Sequence, residues 1–365
     1  MDELEALVAL NSAPQIGPIR IRHMLHYFGG SPLEAFQAAP SALAELPGFS
    51  PKIIQGLETY KQQPRWREDL EEAARADVQI IPFTDARYPK RLGELPDAPI
   101  VLYVKGSLKP CDDRCLALIG TRNASIYGIG MSKQLSSDLA HQGFTIVSGL
   151  ARGIDTAAHQ AALESKGRTI AVIGSGLSKI YPRENGLLAQ WISEQGAVMS
   201  EFPMATPPDR QQFPQRNRIV SGLSMGIVVV EAPERSGALN TVQKALQQGQ
   251  RPIFTLPGRA DTEHFRGNHT LLKSGKAKLI ESASDIANHF GELFATPVKA
   301  CPIPLETEEQ TLLDQMPDQE LAIDELLSLT QLPVPKLTVL LMSLLLKRAV
   351  KEFPGKVYKK LIYKG

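Results

Sequence analysis

The sequence predicts an α/β protein built on a doubly wound, parallel sheet, with a helical module ahead of it and a winged helix behind. Three observations predict it. Apolar runs of strand length alternate with helix-length segments from residue 115 to residue 258, the pattern of a parallel sheet covered on both faces. Glycine-bearing loops follow those runs, where strand ends give way to helix N-termini. Beyond a proline-containing stretch at residues 291–306, the alternation is replaced by three helical segments and a short β-rich tail.

At 365 residues the chain holds about two to three domains. With 43% hydrophobic and 22% charged residues it has the makeup of a soluble globular protein, large enough to bury its own core. Lys plus Arg number 40 and Asp plus Glu 39. That balance excludes a polyanion binder driven by bulk charge and leaves open a small basic patch. The neutrality is a cancellation. Residues 111–290 carry 19 basic and 15 acidic side chains, residues 291–346 carry 2 and 9, and the last nineteen carry 7 and 1. Cys111, Cys115 and Cys301 have no zinc-type spacing and imply no disulfide framework. The opening MDELEALVAL lacks the basic start of a signal peptide, and no apolar run reaches about 18 residues. A cytoplasmic protein without a membrane partner is expected.

Residues 1–65 are expected to form short helices with tight turns. PQIGPIRIRHML (14–25) and LPGFSPKIIQGL (46–57) each place glycine and proline ahead of a helix with a basic residue in its first turn. That is the outline of a helix–hairpin–helix, where glycine lets a backbone N–H approach a phosphate. A purely structural helical packing module fits the same outline. The strand runs follow: VQIIPF, PIVLYVKG, then CLALIG (115–120), FTIVSG (144–149), TIAVIG (169–174), AVMSE (197–201), GIVVVEA (226–232) and PIFTLPG (252–258). After the linker, helices are expected near 308–315, 322–329 and 334–348, then a wing over VKEFPGKVYKKLIY. The third helix, VPKLTVLLMSLLLK, is apolar on every side, whereas a major-groove reader needs a polar outer face. A winged helix that contacts protein or self-associates is therefore expected.

In a doubly wound sheet, ligands bind where loops leave the carboxyl ends of strands. Loop 120–128, GTRNASIYG, offers Arg122 as a forked cation and Ser125 as a hydroxyl, which suits a phosphate group. It is not G-x-G-x-x-G, and the next strand ends without a ribose-binding acid, so no dinucleotide cofactor is expected. In SGLARGID (148–155), Gly149 and Gly153 bracket Arg152, a second anion-facing turn. Asp155 is either a helix N-cap or a functional acid, and His159, inside TAAHQAAL, is expected to be a packed structural histidine. In GSGLSKIYPREN (174–185), Gly174 lets the backbone approach a ligand, Lys179 and Arg183 add charge, and Tyr181–Pro182 fixes the turn. The stretch 207–224, PPDRQQFPQRNRIVSGLS, interleaves Arg210, Arg216 and Arg218 with Phe213 and Asn217. Guanidinium groups beside an exposed ring are what single-stranded nucleic acid requires. The alternative for Arg216 and Arg218 is an ion pair with Glu201 or Glu231 inside the domain. Finally, Ser236 and Gly237 open a helix in EAPERSGALNTVQKAL (231–246), a further anion site.

Between about Tyr88 and Phe290, these motifs occur in one order together with SEFP and LPGRADTEHFRGNHTLLKSG. In this the chain resembles the DNA-processing protein A family, also called DprA or Smf. The resemblance implies a helix-hairpin-helix or SAM-like domain at 1–65 and an extended Rossmann-like DNA-binding domain at 66–290. A linker at 291–306 and a winged-helix domain at 307–365 complete it. It also implies a cytoplasmic bacterial protein that binds and protects incoming single-stranded DNA in natural transformation and loads the RecA recombinase. Such a protein would pair as a homodimer through the Rossmann-like domain. Carried across by motif, Arg122 would hold a phosphate, Arg210 would add a second cation and Phe213 would stack on a base. The glycine-rich turns and Ser236–Gly237 would contribute amides. Two positions depart from the family: Ser178 stands where an acid is usual, and LPGFSPK lacks a second glycine.

The rival class is a nucleotide-binding phosphoribohydrolase of the same fold superfamily, whose P-G-G-x-G-T-x-x-E carries the catalytic glutamate. The comparable stretch here is SGALNTVQK, with Ser236, Asn240 and Lys244 at the proline, a glycine and the glutamate. A lysine cannot do a carboxylate's work on an oxocarbenium-like transition state. No catalytic residue, metal or cofactor is therefore expected.

Overall fold

The computed structural model describes residues 1–62, 64–249, 251–291, 306–346, 349–353 and 355–360, and in it the apolar runs pair into one sheet of nine strands. The strands are β1 (Val78–Pro82), β2 (Val101–Gly106), β3 (Cys115–Ile119), β4 (Thr145–Ser148) and β5 (Thr169–Val172). They continue with β6 (Ala197–Ser200), β7 (Gly226–Val229), β8 (Ile253–Thr255) and β9 (Lys278–Leu279). Their spatial order is β1-β2-β6-β5-β4-β3-β7-β8-β9. Pairing is parallel from β6 through β9, while β2 runs antiparallel to β6 and β1 antiparallel to β2.

Every residue of β3 through β8 is buried, because helices cover both faces of the sheet. The two-residue alternation of a strand divides the core. Ala117, Ile119, Val172 and Val229 pack on one face, and Leu116, Leu118, Ile146 and Val228 on the other. Each large aliphatic side chain so removed from water contributes about 1.5–3 kcal/mol. The short edge strand β9, which the sequence did not signal, is exposed and carries Lys278, a device that discourages edge-to-edge pairing.

The chain winds from β3 outward to β6, then returns to the other side of β3 to form β7 and β8. The loops after β3 and β7 therefore leave the sheet in opposite directions and open a crevice between them. This topology places the site.

The described chain divides into two units, residues 1–298 and 299–365. In the first, four of the five helices before residue 63 begin on proline, whose fixed φ and missing N–H suit a first helical position. Arg20, the basic residue of the first turn-and-helix motif, donates to Gln15 O at 3.0 Å and to Gly48 O at 2.9 Å. Its guanidinium thus ties the two turns together instead of facing outward alone. These helices share one core with the sheet: Leu7, Leu10 and Trp66 lie in the same cluster as Tyr103, Val198 and Ile192. Buried Asp69 fastens that junction, accepting from Tyr103 Oη and, at 2.6 Å, from the Met204 amide. Burial pushes the Asp69 carboxyl above the usual range.

The second unit has helices Thr307–Gln315, Ile323–Thr330 and Val334–Leu346 and strands β10 (Leu321–Ala322), β11 (Val350–Phe353) and β12 (Val357–Lys360). The sheet order is β10-β12-β11, a winged helix. Leu312, Leu326, Leu337, Leu341, Leu344 and Tyr358 form its core. Its third helix exposes Val334, Val339 and Met342, and its Lys336 is paired with Glu308 at 2.6 Å. Among the described residues, no single helix is long and apolar enough to cross a membrane. The expected linker lies outside the described residues except for its ends at 291 and 306, and Cys301 and residues 361–365 also lie outside them.

Candidate functional site

A cleft of about 800 Å³ opens at the switch point, between the loops that follow β3 and β7. Its first wall is loop 120–125. Glu231, at the end of β7 and fully buried, holds that loop. The Glu231 carbonyl accepts from the Thr121 amide at 2.7 Å, and its carboxylate accepts from the Ser125 amide at 3.0 Å and the Ser125 hydroxyl at 2.6 Å. Ser125 Oγ in turn accepts from the Gly128 amide, capping helix Ile126–His141. The Ser125 hydroxyl is therefore turned into the fold, a correction to the expectation that it faces a ligand. Arg122, anchored by this loop, is exposed and lines the cleft.

The floor is made by the turn after β4 and by Arg216. Gly149 is required there: a Cβ at that position would stand 2.1 Å from Arg216 Nη1. Asp155 is neither the N-cap, which is Gly153, nor solvent-facing. Its Oδ2 accepts from the Gly149 amide at 3.1 Å and the Ala151 amide at 3.3 Å, which fixes the turn. Burial raises the Asp155 pKa, with the Arg216 charge opposing the rise. Gly153 sits at φ 76° with its α-carbon against the Thr121 carbonyl, so it shapes the backbone and lies behind the cleft.

Arg216 and Arg218 part company. Both belong to helix Gln212–Leu223 and both are buried. Arg218 donates to Glu201 Oε2 and stands 3.7 Å from Asp97. It is internal and does not reach the cleft, a correction to its place among the expected ligand-binding residues. Arg216 lines the cleft floor, where its Nη1 donates to the carbonyl of Val172 at the end of β5 and its Nε has no partner among the described residues. Burial pulls the Arg216 pKa down to about 10, which leaves the group cationic at neutral pH. Of the alternatives open in the sequence, the glutamate pair belongs to Arg218.

The remaining expected residues fall in three groups. Arg210, Phe213, Asn217, Ser236 and Gly237 line the same cleft as Arg122, Gly149 and Arg216. Ser236 caps helix Gly237–Gln247, accepting from the Ala238 amide at 3.2 Å, so the helix N-terminus faces the cleft. Arg152 lines an adjoining recess with Tyr181 and Pro182 and forms an exposed pair with Glu184. Gly174 underlies Phe213. Lys179 and Arg183 are exposed but line neither the cleft nor the recess. His159 is fully buried with Nδ1 2.6 Å from Thr169 Oγ1, and burial lowers its pKa to about 3, which keeps it neutral.

Sequence reasoning missed Arg235 and gave Tyr181 a turn-fixing part only, yet both line the cleft. The signals were present: Arg235 precedes a helix N-cap, and Tyr181 lies between Lys179 and Arg183 in a strand-end loop. Asn123, Asn240 and Thr241 also line it. In all, four arginines face the cleft against one carboxylate among the described lining residues, the buried Asp155. The Arg122 guanidinium carbon lies 5.3 Å from the Phe213 ring centroid. Forked cations, a helix N-terminus and aromatic rings in one groove can hold successive phosphates and planar bases. Among the described lining residues, Asp155 is the one carboxylate.

Comparison with known proteins agrees with this architecture. Residues 79–291 match the family model of DNA recombination-mediator protein A, and residues 296–356 match that of the DprA winged helix domain. The chain is 35% identical over 311 residues to protein Smf of Synechocystis sp., covering 84% of this chain and 75% of that protein. The X-ray structure of DNA processing protein A from Streptococcus pneumoniae superposes with a TM-score of 0.66 at 32% identity, covering 78% of this chain and 95% of that one. A structure of DNA processing protein A from Helicobacter pylori, described for its single-stranded DNA binding mode, superposes with a TM-score of 0.53 at 31% identity. It covers 59% of this chain and 97% of that one.

Proposed function

The chain belongs to the DNA recombination-mediator protein A family, and from that premise we propose that it binds single-stranded DNA in the cleft at the switch point, as a recombination mediator in natural transformation. One observation carries the reading. Four arginines and two aromatic side chains converge on a groove at the strand ends, against a single buried carboxylate. A backbone of phosphates meets Arg122, Arg210, Arg216 and Arg235, while exposed bases find rings to stack on. The helix N-terminus at Gly237 adds an uncharged anion contact.

The same reading makes the protein a non-catalytic mediator that acts in the cytoplasm, protects the strand and loads the RecA recombinase. It functions as a homodimer through the Rossmann-like domain. Ile126, which is 92% exposed beside the cleft loop, together with Tyr127 and Ile129, supports a protein contact on that face. The relative from Helicobacter pylori, with its single-stranded DNA binding mode, supports the choice of ligand.

The test is fluorescence anisotropy of labelled oligo-dT against a duplex of equal length. The reading expects the single strand to bind more tightly, and equal or stronger duplex binding contradicts it. Loading is tested separately, by RecA filament formation on DNA already coated with single-strand-binding protein. Turnover of nucleoside monophosphates that a cleft mutation abolishes would contradict the non-catalytic part.

A further inference from the structure

Stacking in this cleft has so far been assigned to Phe213, but the rings around it are arranged otherwise. Phe213 is only partly exposed. Behind it lies Gly174, where an added Cβ would stand 2.9 Å from Phe213 Cδ1. Over its ring lies the Arg122 guanidinium, at 5.3 Å from the centroid, a cation–π contact. A base reaches that side of Phe213 only after Arg122 has left it.

Tyr181 is placed differently. Its ring centroid is 5.7 Å from that of Phe213 at an interplanar angle of 41°, so the Phe213 ring supports it in a tilted contact. It is 41% exposed. Like Phe213, it lines both the main cleft and the adjoining recess of about 30 Å³, and it stands where the two meet. Arg122 and Arg216 line both spaces as well, and Arg152 lines the recess. An accessible ring is thus set among several cations, the combination that binds a strand without sequence preference.

We propose that Tyr181 is a base-stacking residue of the cleft, forming with Phe213 a two-ring platform where the main groove meets the recess beside Arg152. This rests on the single-stranded DNA reading of the cleft. Phe213 braces Tyr181 from one side, and the base covers its open face. Because every base presents a π-face, the contact adds affinity with little dependence on sequence.

The experiment uses the full-length protein and oligo-dT carrying one 2-aminopurine, moved position by position, with affinity measured alongside the quenching. Tyr181→Ala is expected to weaken binding roughly 5- to 150-fold and to abolish quenching at one position while the others persist. Tyr181→Phe, which keeps the ring, restores affinity to within about twofold, and Tyr181→Leu, which keeps apolar bulk alone, does not. Circular dichroism and thermal unfolding confirm that the variants are folded. Full affinity and an unchanged quenching pattern in Tyr181→Ala, with Arg122→Ala still impaired, overturns the platform and leaves the cleft reading standing. Wild-type protein that binds no single strand overturns both.

Discussion

Salt dependence discriminates a cleft of defined cations from general surface charge. Each phosphate neutralised on a single strand contributes about −0.7 to the slope of log K against log salt. Four arginines line the cleft. If each meets one phosphate, the slope is about −2.8, and raising salt fourfold weakens binding about 50-fold. Arg122→Ala removes one contact, so the slope falls to about −2.1 and the same change in salt costs only about 20-fold. The control is Lys133→Ala, which removes an exposed charge from helix Ile126–His141 outside the cleft. Anisotropy titrations of labelled oligo-dT over a range of salt give all three slopes. A slope unchanged by Arg122→Ala, or lowered equally by Lys133→Ala, refutes the assignment of phosphates to these arginines.

The buried groups yield further expectations. Arg218→Ala leaves Glu201 buried without its partner, and unfolding by denaturant should show a loss of about 3–5 kcal/mol, with oligo-dT affinity of the folded protein retained. Gly149→Ala drives a methyl group against Arg216, so both affinity and stability should fall, the latter by about 1–3 kcal/mol in thermal or denaturant unfolding. His159 has its pKa lowered to about 3 by burial, against 6.5 for the free group. The unfolded chain therefore takes up a proton below pH 6.5 that the native state refuses, and stability falls as pH drops from 6.5 toward 3. The slope from this group is about 1.4 kcal/mol per pH unit, and the difference between wild type and His159→Gln in unfolding free energy measured against pH should show it.

The sheet was legible in the sequence because a fully buried parallel strand needs a continuous apolar run, and CLALIG, TIAVIG and GIVVVEA have little other use. The loops were legible for a related reason, since a chain turning sharply from strand into helix requires glycine at its tightest points. Individual side chains were less so. Arg216 and Arg218 look alike in the sequence, but two residues of helix turn by about 200°, so only one can face the cleft. A continuous helix over residues 212–223 makes that division. The hold of Glu231 on Ser125 was not legible, because it joins residues 106 apart in the chain and depends on β7 lying beside β3. The Tyr181–Phe213 contact likewise joins a loop after β5 to a helix after β6. Nor does composition disclose that Asp69 and Tyr103 bind the N-terminal helices to the sheet, since both are ordinary residues until the fold buries them.

The account rests on a single strand lying in the switch-point cleft, and photocrosslinking tests this most directly. Oligo-dT substituted with 5-iododeoxyuridine is irradiated with the full-length protein, and the modified peptides are mapped. Crosslinks are predicted at Tyr181 and Phe213, suppressed by excess unlabelled oligo-dT and unaffected by excess duplex. Crosslinks confined to residues 1–62 or to the winged helix would contradict the account.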